Sequence, residues 1–414
     1  MIKKPRILFT SPILHYPPVG GPELRIVNSI KALSKISELY VYSLKPLNES
    51  EELNFFKSLS AHIYISPSSR INGRIATSFI RKTNLIWRRL FKKNLFNENL
   101  ISLTDYRDIL RVSNIINADL IWLGYGNISY PLLRFIKGNS QYRVVCDTDS
   151  VWSRFILRGL PFAQNDEDKK NIEKLGKEKE EEERWGTQLA DVTTAVSEVD
   201  ATYYRHLAKN PEQIHIFSNV IDLNDYQNTP IKPKHVKNPC IYLAGTFWRN
   251  SPMEESARWM IEKVLPIVKK SYPDIHLYII GQGSDEILND IKDPSIIITG
   301  KIPSVLPFLC HVDAVVVPLK FESGTRFKIL EAGACCIPVI STTLGAEGIP
   351  VTDGVDIMIA DDPVTFANAI NKIISDPSRA NLMGKRLNSL IKEKYSINSL
   401  IHEGNIILKS IFQD

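Results

Sequence analysis

Along this chain, short apolar runs alternate with longer stretches whose apolar positions recur every three or four residues. The runs in RILFTSP, LYVYSL, HIYISP, LIWLGYG, RVVCDTD and VTTAVS read as strands, because β-branched and aromatic residues bounded by turn formers fit a pleated surface. Between them lie amphipathic patterns such as ELRIVNSIKALSKI, with Leu24, Ile26, Val27, Ile30 and Leu33 forming an apolar stripe. Strands alternating with helices predict a parallel sheet covered on both faces. The rhythm lapses at 226–239, YQNTPIKPKHVKNP, which is polar and rich in Pro and Lys, as linkers are. It restarts with CIYLAG, IHLYIIG, SIIITG, AVVVPL, IPVIST and DIMIAD. The pattern therefore predicts two doubly wound α/β domains, at 1–225 and 240–395, joined by the linker 226–239. A closing helix at 396–414 is expected to pack back on the first domain.

Size and charge narrow the picture. A chain of 414 residues exceeds one ordinary core and suits two domains of about 200 residues. Its 43% apolar and 23% charged content is that of a globular protein. The formal net charge of +5 suits anionic ligands but is too weak to argue for nucleic acid. The five cysteines include no C-x-x-C pair, so they predict neither a disulfide framework nor a zinc site and read as reduced thiols. The start, MIKKPRILFTSPIL, has the basic-then-apolar order of a signal peptide, but Pro5 and Pro12 bracket too short an apolar stretch. No run of about 18 apolar residues occurs, and the expectation is a cytoplasmic protein.

Two segments break the rhythm. Residues 166–184, DEDKKNIEKLGKEKEEEER, predict a solvated helix leading to Trp185. Residues 70–93, RINGRIATSFIRKTNLIWRRLFKK, carry eight Lys/Arg and no acid, interleaved with Phe79, Ile80, Ile86, Trp87, Leu90 and Phe91. That stretch reads either as an ordinary surface helix or as a face that meets an anionic acceptor or, peripherally, an anionic membrane.

Open α/β sheets bind ligands beyond the carboxyl ends of their strands, so the turns there hold the candidate chemistry. In SPILHYPPVGGPELR, Gly20 and Gly21 precede a helix. A glycine pair there lets backbone N–H groups approach a phosphate at the positive helix end, or simply makes a tight turn. The ending is neither that of a P-loop nor G-x-G-x-x-G, and GYGNIS (124–129) and GQGSDE (281–286) also lack a third glycine. The stretch FESGTRFKILEAGACCIPVISTT, residues 321–343, is more specific. Gly324 suits a turn, and Arg326 and Lys328 lie near a helix start, where cations meet a diphosphate. Glu331, one turn on, can accept from two neighbouring hydroxyls such as a ribose diol. The competing reading is an exposed Lys328–Glu331 pair at i,i+3.

GTRFKILEAGACCIPVISTTLGAEGI resembles the signature of retaining, nucleotide-sugar-dependent glycosyltransferases of the GT-B fold, family four (glycosyl transferases group 1). ILFTSP…PPVGGPELRIVNSIKAL resembles that family's first strand, glycine loop and helix. VVCDTDSVWSRF, ADVTTAVSEVDATYY, FSNVIDLNDY and LAGTFWRNSPMEESARWMIEKVLPIV follow in the family's order, as do LYIIGQG and IIITGKI. The resemblance implies two Rossmann-like domains facing a cleft. It implies that Gly20 and Gly21 face the donor diphosphate, and that Arg326 and Lys328 neutralise it without a metal or other cofactor. Glu331 would hold the ribose, Gly281 and Lys301 would border the base, and Gly245, Arg249, Ser323, Gly324 and Thr325 would complete the donor site. Asp147 or Asp149 stands where many members have a histidine, either to contact sugar hydroxyls or to cap the following helix. Two features depart from the family. Ser323, with Glu322 beside it, replaces a carboxylate eight residues before Glu331, and SNVID lacks a turn glycine. His15 faces the acceptor or is a solvated loop residue.

The implied activity is transfer of a sugar from a nucleotide-diphosphate sugar to a saccharide or lipid-linked acceptor, with retention, in cell-surface polysaccharide or glycoconjugate synthesis. The absence of a well-placed acid–base carboxylate pair argues against a glycosidase. Two alternatives remain at this point: a nucleotide-sugar 2-epimerase of the same fold, and a catalytically silent nucleotide-sugar-binding subunit.

Overall fold

The computed structural model describes residues 4–18, 20–47, 50–67 and 99–412, so the basic stretch 70–93 lies outside the described residues. Among the described residues the first domain holds seven parallel strands: β1 (Arg6–Ser11), β2 (Glu38–Ser43), β3 (His62–Ile65), β4 (Leu120–Gly124), β5 (Arg143–Asp147), β6 (Val192–Ala195) and β7 (Ile214–Ile216). Their order is β3-β2-β1-β4-β5-β6-β7. The second holds six: β8 (Cys240–Ala244), β9 (His276–Ile280), β10 (Ile296–Ile298), β11 (Ala314–Val317), β12 (Val339–Ser341) and β13 (Met358–Ile359), ordered β10-β9-β8-β11-β12-β13. Every residue of β4 and of β11 is buried, which is why these strands are continuous apolar runs. β7 has no counterpart in the periodicity. It is a three-residue edge strand beside β6, too short to carry a period.

In the first domain α1 (Gly21–Ile36) follows β1 and α2 (Ser50–Leu59) follows β2; α3 (Asn99–Ile116) and α4 (Tyr130–Asn139) flank β4. α5 (Trp152–Arg158), α6 (Asp166–Leu189) and α7 (Glu198–Leu207) complete it. α8 (Pro252–Trp259), α9 (Phe327–Ala334), α10 (Pro363–Ser375) and α11 (Pro377–Lys394) belong to the second. The last helix, α12 (Ile397–Phe412), returns to the first domain, where Leu400, Ile407, Leu408 and Ile411 join a core containing Ile26, Ile30, Leu33 and Phe217. Glu403 fastens it, accepting from the Ser218 N–H at 2.7 Å and the Ser218 hydroxyl at 2.8 Å. Among the described residues, no helix is long and apolar enough to cross a membrane.

The charged stretch forms α6, but one of its acids is not solvated. Glu183 is fully buried and accepts the Trp152 and Ser153 N–H groups, at 2.8 and 3.2 Å, and the Ser153 hydroxyl. It thereby satisfies the first turn of α5, whose start has no side-chain cap of its own. Burial pushes the Glu183 carboxyl up to about 7, from a usual 4.5. The folded state therefore binds this proton more tightly than the unfolded chain. Stability is withheld above about pH 7 and returns as the pH falls toward 4.5. The melting midpoint should rise by roughly 3 °C or more between about pH 8 and pH 5.5. Glu183→Gln, which keeps an acceptor for both N–H groups, should remove much of that rise. Parallel pH profiles for the two proteins would refute the assignment.

Candidate active site

Each sheet changes winding direction once, between β1 and β4 and between β8 and β11, and ligands bind open α/β sheets at such switch points. The loops that meet there come from both domains. After β1, Gly20 is the extended N-cap of α1 and supplies no side-chain cap, while Pro22 in the first turn has no N–H. No side chain caps the positive end of this helix, and the carboxylate of Glu23 in its first turn lies beside Gly20. A Cβ at Gly21 would lie 2.9 Å from the Phe327 ring, so glycine lets α1 approach the second domain. After β4, Tyr125 is left-handed (φ 61°), lies edge-on to Trp152 and is hydrogen-bonded to Asp149. Burial, then the Asp149 charge, raise its phenol well above the ordinary value.

The two candidate aspartates part company here. Asp149 stays partly exposed beside Tyr125 and accepts from the Trp152 indole at 3.3 Å. Asp147 is 0% exposed. Its oxygens take the Arg25 guanidinium, the Thr194 hydroxyl at 2.7 Å and the Trp122 indole at 3.2 Å. A carboxylate so enclosed makes no sugar contact, which corrects that expectation for Asp147. Neither aspartate caps α5, because Glu183 does so instead. Arg25 continues inward, donating to Asn219 Oδ1 at 2.8 Å and to the Phe217 carbonyl at 3.1 Å. Asn219 in turn donates to the Thr325 carbonyl at 3.5 Å. The network thus ties the glycine-loop helix to the residue just before Arg326.

The loop after β11 is docked on the first domain. Ser323 Oγ accepts the Val151 N–H at 3.2 Å, and the Thr325 hydroxyl donates to the Val196 carbonyl at 3.3 Å. Gly324 has φ 79°, and a Cβ there would meet the Asp149 carbonyl at 2.8 Å. Beside this loop, Arg158 forms a fork with Glu347 at 2.9 and 2.7 Å and donates to the Glu322 carbonyl at 2.6 Å. The α5 face and the second domain are thereby clamped together.

Arg326 is the N-cap of α9 and only 4% exposed; its Nη2 donates to the Leu344 carbonyl at 3.3 Å, while Nε and Nη1 have no partner. Burial lowers its pKa, against the charges of Glu322, Asp200 and Glu347. Lys328 Nζ meets only the Met253 sulfur, at 3.0 Å, and burial brings its ammonium down to about 8. Glu331 accepts from the Tyr226 hydroxyl at 3.0 Å, and burial raises its carboxyl. Lys328 and Glu331 thus have separate partners, which is not the exposed i,i+3 pair.

On the other side of the second domain's switch point, Gly245 and Gly281 lie backbone to backbone. The Gly245 N–H donates to Ile280 at 3.0 Å, and a Cβ at Gly281 (φ 138°) would strike the Gly245 carbonyl. Gly281 donates to the Gly300 carbonyl, next to exposed Lys301. Met253 packs under Gly245 and reaches Lys328, so this side of the cleft adjoins the cations. Arg249 is exposed on the loop before α8.

Residues 238–376 match the family described as glycosyl transferases group 1. Sucrose-phosphate synthase from Thermosynechococcus elongatus superposes with a TM-score of 0.67 at 15% identity, over 99% of this chain and 100% of that one. Anabaena Alr3699/HepE in complex with UDP and glucose superposes with a TM-score of 0.64 at 13% identity, over 98% and 99%. The fold is GT-B. A curated relative, an uncharacterised 44.6 kDa protein in the cps region of Klebsiella pneumoniae, is 27% identical over 165 residues. That alignment covers 38% of this chain, which spans 41% of the relative's length.

Within the GT-B cleft, several contributors have no local signal. Tyr226 lies in a stretch read as linker, and Asn219 in a turn. Glu52 is an unremarkable acid in α2, yet it is 6% exposed and accepts from the Tyr16 N–H at 3.0 Å. Its same oxygen lies 3.0 Å from His15 Nδ1, and the Tyr16 ring stacks on Phe55 at 3.7 Å. His15 is therefore held by the first domain rather than loose in its loop.

Proposed function

We propose that the chain is a retaining glycosyltransferase that moves a sugar from a nucleotide-diphosphate sugar to a saccharide or lipid-linked acceptor. The observation that carries the reading is a pair of cations, Arg326 and Lys328, without carboxylate partners at a GT-B switch point. Buried unpaired donors are costly unless an acceptor completes them, and a diphosphate supplies several. Relatives of the same fold support the donor class: Anabaena HepE was crystallised with UDP-glucose, and a S. aureus TarM variant with Fondaparinux, alpha-GlcNAc-glycerol and UDP.

In this reading the helix end at Gly20–Gly21 and the two cations hold the diphosphate, while Glu331 takes the ribose hydroxyls. Gly245, Gly281 and Lys301 border the base, and Asp149 with Tyr125 faces the sugar. The bond from anomeric carbon to phosphate oxygen breaks as the acceptor oxygen bonds on the same face, and the acceptor proton passes to the leaving phosphate. The catalytic task is to stabilise the charge growing on that leaving group. Fixed cations can do so, so the proposal includes no metal. His15, oriented by Glu52, stands on the acceptor side. A role in polysaccharide synthesis at the cytoplasmic membrane face, with 70–93 touching anionic lipid, belongs to the same proposal.

The test is a thermal-shift series with UDP, GDP and ADP, each with EDTA. A nucleotide at about one hundred times its Kd should stabilise the protein by ~2.7 kcal/mol despite the chelator. Glu331→Ala should lose most of that shift. No shift with any nucleotide, or a shift that EDTA removes, would overturn the metal-free clamp. Binding without release of nucleoside diphosphate from donor sugars would favour the silent subunit.

A further inference from the structure

Among the described cysteines, Cys146 and Cys240 are buried, whereas Cys310 and Cys335 are partly exposed, and all are unpaired thiols. Cys310 directly follows the short helix Leu306–Leu309, and Cys335 directly follows α9. Although they are 25 residues apart in sequence, their sulfurs stand 3.7 Å apart and share a hydrogen bond. A disulfide needs about 2.05 Å between sulfurs, so bond formation asks for an approach of about 1.7 Å. The Cys335 N–H donates to the Glu331 carbonyl at 3.1 Å. Asn388 from α11 holds the Gly333 and Ala334 carbonyls at 2.8 and 3.0 Å. Movement of Cys335 is therefore passed to the last turn of α9, which presents Glu331 to Tyr226.

We infer that Cys310 and Cys335 form a reversible dithiol–disulfide site, oxidised by peroxide, whose closure weakens the ribose end of the nucleotide clamp. The second half of this statement rests on the assignment of Glu331 to the ribose. The shared hydrogen bond holds the Cys310 thiol below its ordinary value and pushes the Cys335 thiol well above it. In the proposed sequence Cys310 is the thiolate that attacks first. Its sulfur takes one peroxide oxygen, becoming a sulfenic acid and releasing water after protonation. The Cys335 sulfur then displaces the second water, leaving the disulfide. Two thiols and one hydrogen peroxide give one disulfide and two waters, and a dithiol reductant reverses the change.

The test uses the full chain, titrated with hydrogen peroxide and mapped by peptide mass spectrometry under non-reducing conditions. The expected result is a Cys310–Cys335 crosslink. UDP affinity, or that of whichever nucleotide stabilises the reduced protein, should be about tenfold weaker and recover with dithiothreitol. Cys310→Ser and Cys335→Ser should each abolish the crosslink and the loss of affinity, while Cys336→Ser should keep both. Sulfinic acids without a crosslink, or pairing through Cys336, would overturn the site. A crosslink that leaves affinity unchanged would overturn its action on the clamp. If the reduced protein bound no nucleotide, the clamp reading would fail and the crosslink alone would decide the thiol pair.

Discussion

Lys328→Met should lower turnover of a nucleotide-sugar donor by about 10²–10³-fold, the loss seen when one fixed donor to a developing anion is removed. The substitution keeps the aliphatic packing against Met253 and removes only the charge. Because burial brings Lys328 down to about 8, the parent carries that charge below this pH and loses it above. Nucleotide binding above about pH 8 must take up a proton, so affinity should fall by up to tenfold per pH unit there. Lys328→Met should bind more weakly at neutral pH and show no such slope. Release of nucleoside diphosphate gives the turnover, and calorimetric titration at several pH values gives the affinity. Unchanged turnover would remove Lys328 from the clamp. An unchanged slope would assign the titration to another group.

Asp147→Ala should be among the most destabilising single changes in the first domain, costing about 3–5 kcal/mol, because it leaves the buried Arg25 guanidinium without its counter-charge. Arg25 and Asp147 are both essentially unexposed, so water cannot replace the lost partner. Removing the pair together, as Arg25→Met with Asp147→Ala, should cost less than the sum of the single changes, the signature of coupled neighbours. Urea unfolding of the parent, both single variants and the double variant measures this directly. If Asp147→Ala unfolded like the parent but lost transfer, Asp147 would be a sugar ligand after all. Asp149→Ala is the useful contrast, since its carboxylate faces Tyr125 and Trp152 at the cleft.

The contrast between these aspartates shows what a linear pattern conveys. Both belong to CDTDS, two residues apart at the end of β5, and nothing local distinguishes them. Residue 147 ends the strand facing the core, and Arg25 arrives from α1, 122 positions away. Glu183 was hidden for a similar reason: its surroundings are all charge, and only the crossing of α5 buries it.

The parallel sheets, by contrast, were legible. Strands buried on both faces must be continuously apolar, and the helices between them must be amphipathic, so among the described residues twelve of the thirteen strands carry their own signal and only the short edge strand β7 does not. The 321–343 stretch likewise announced cations at a helix start, because Arg326 and Lys328 stand two residues apart at the beginning of α9. Its partners were not announced. Tyr226, Asn219, Glu52 and the Cys310–Cys335 contact join residues far apart in sequence, and the choice among them depends on which loops the two switch points bring together. Periodicity and turn chemistry are local properties, written wherever an element must bury one face. Contacts across the cleft exist only after both domains have packed, and so tertiary structure alone decided which carboxylate stays partly exposed beside Tyr125 and which is enclosed in the core.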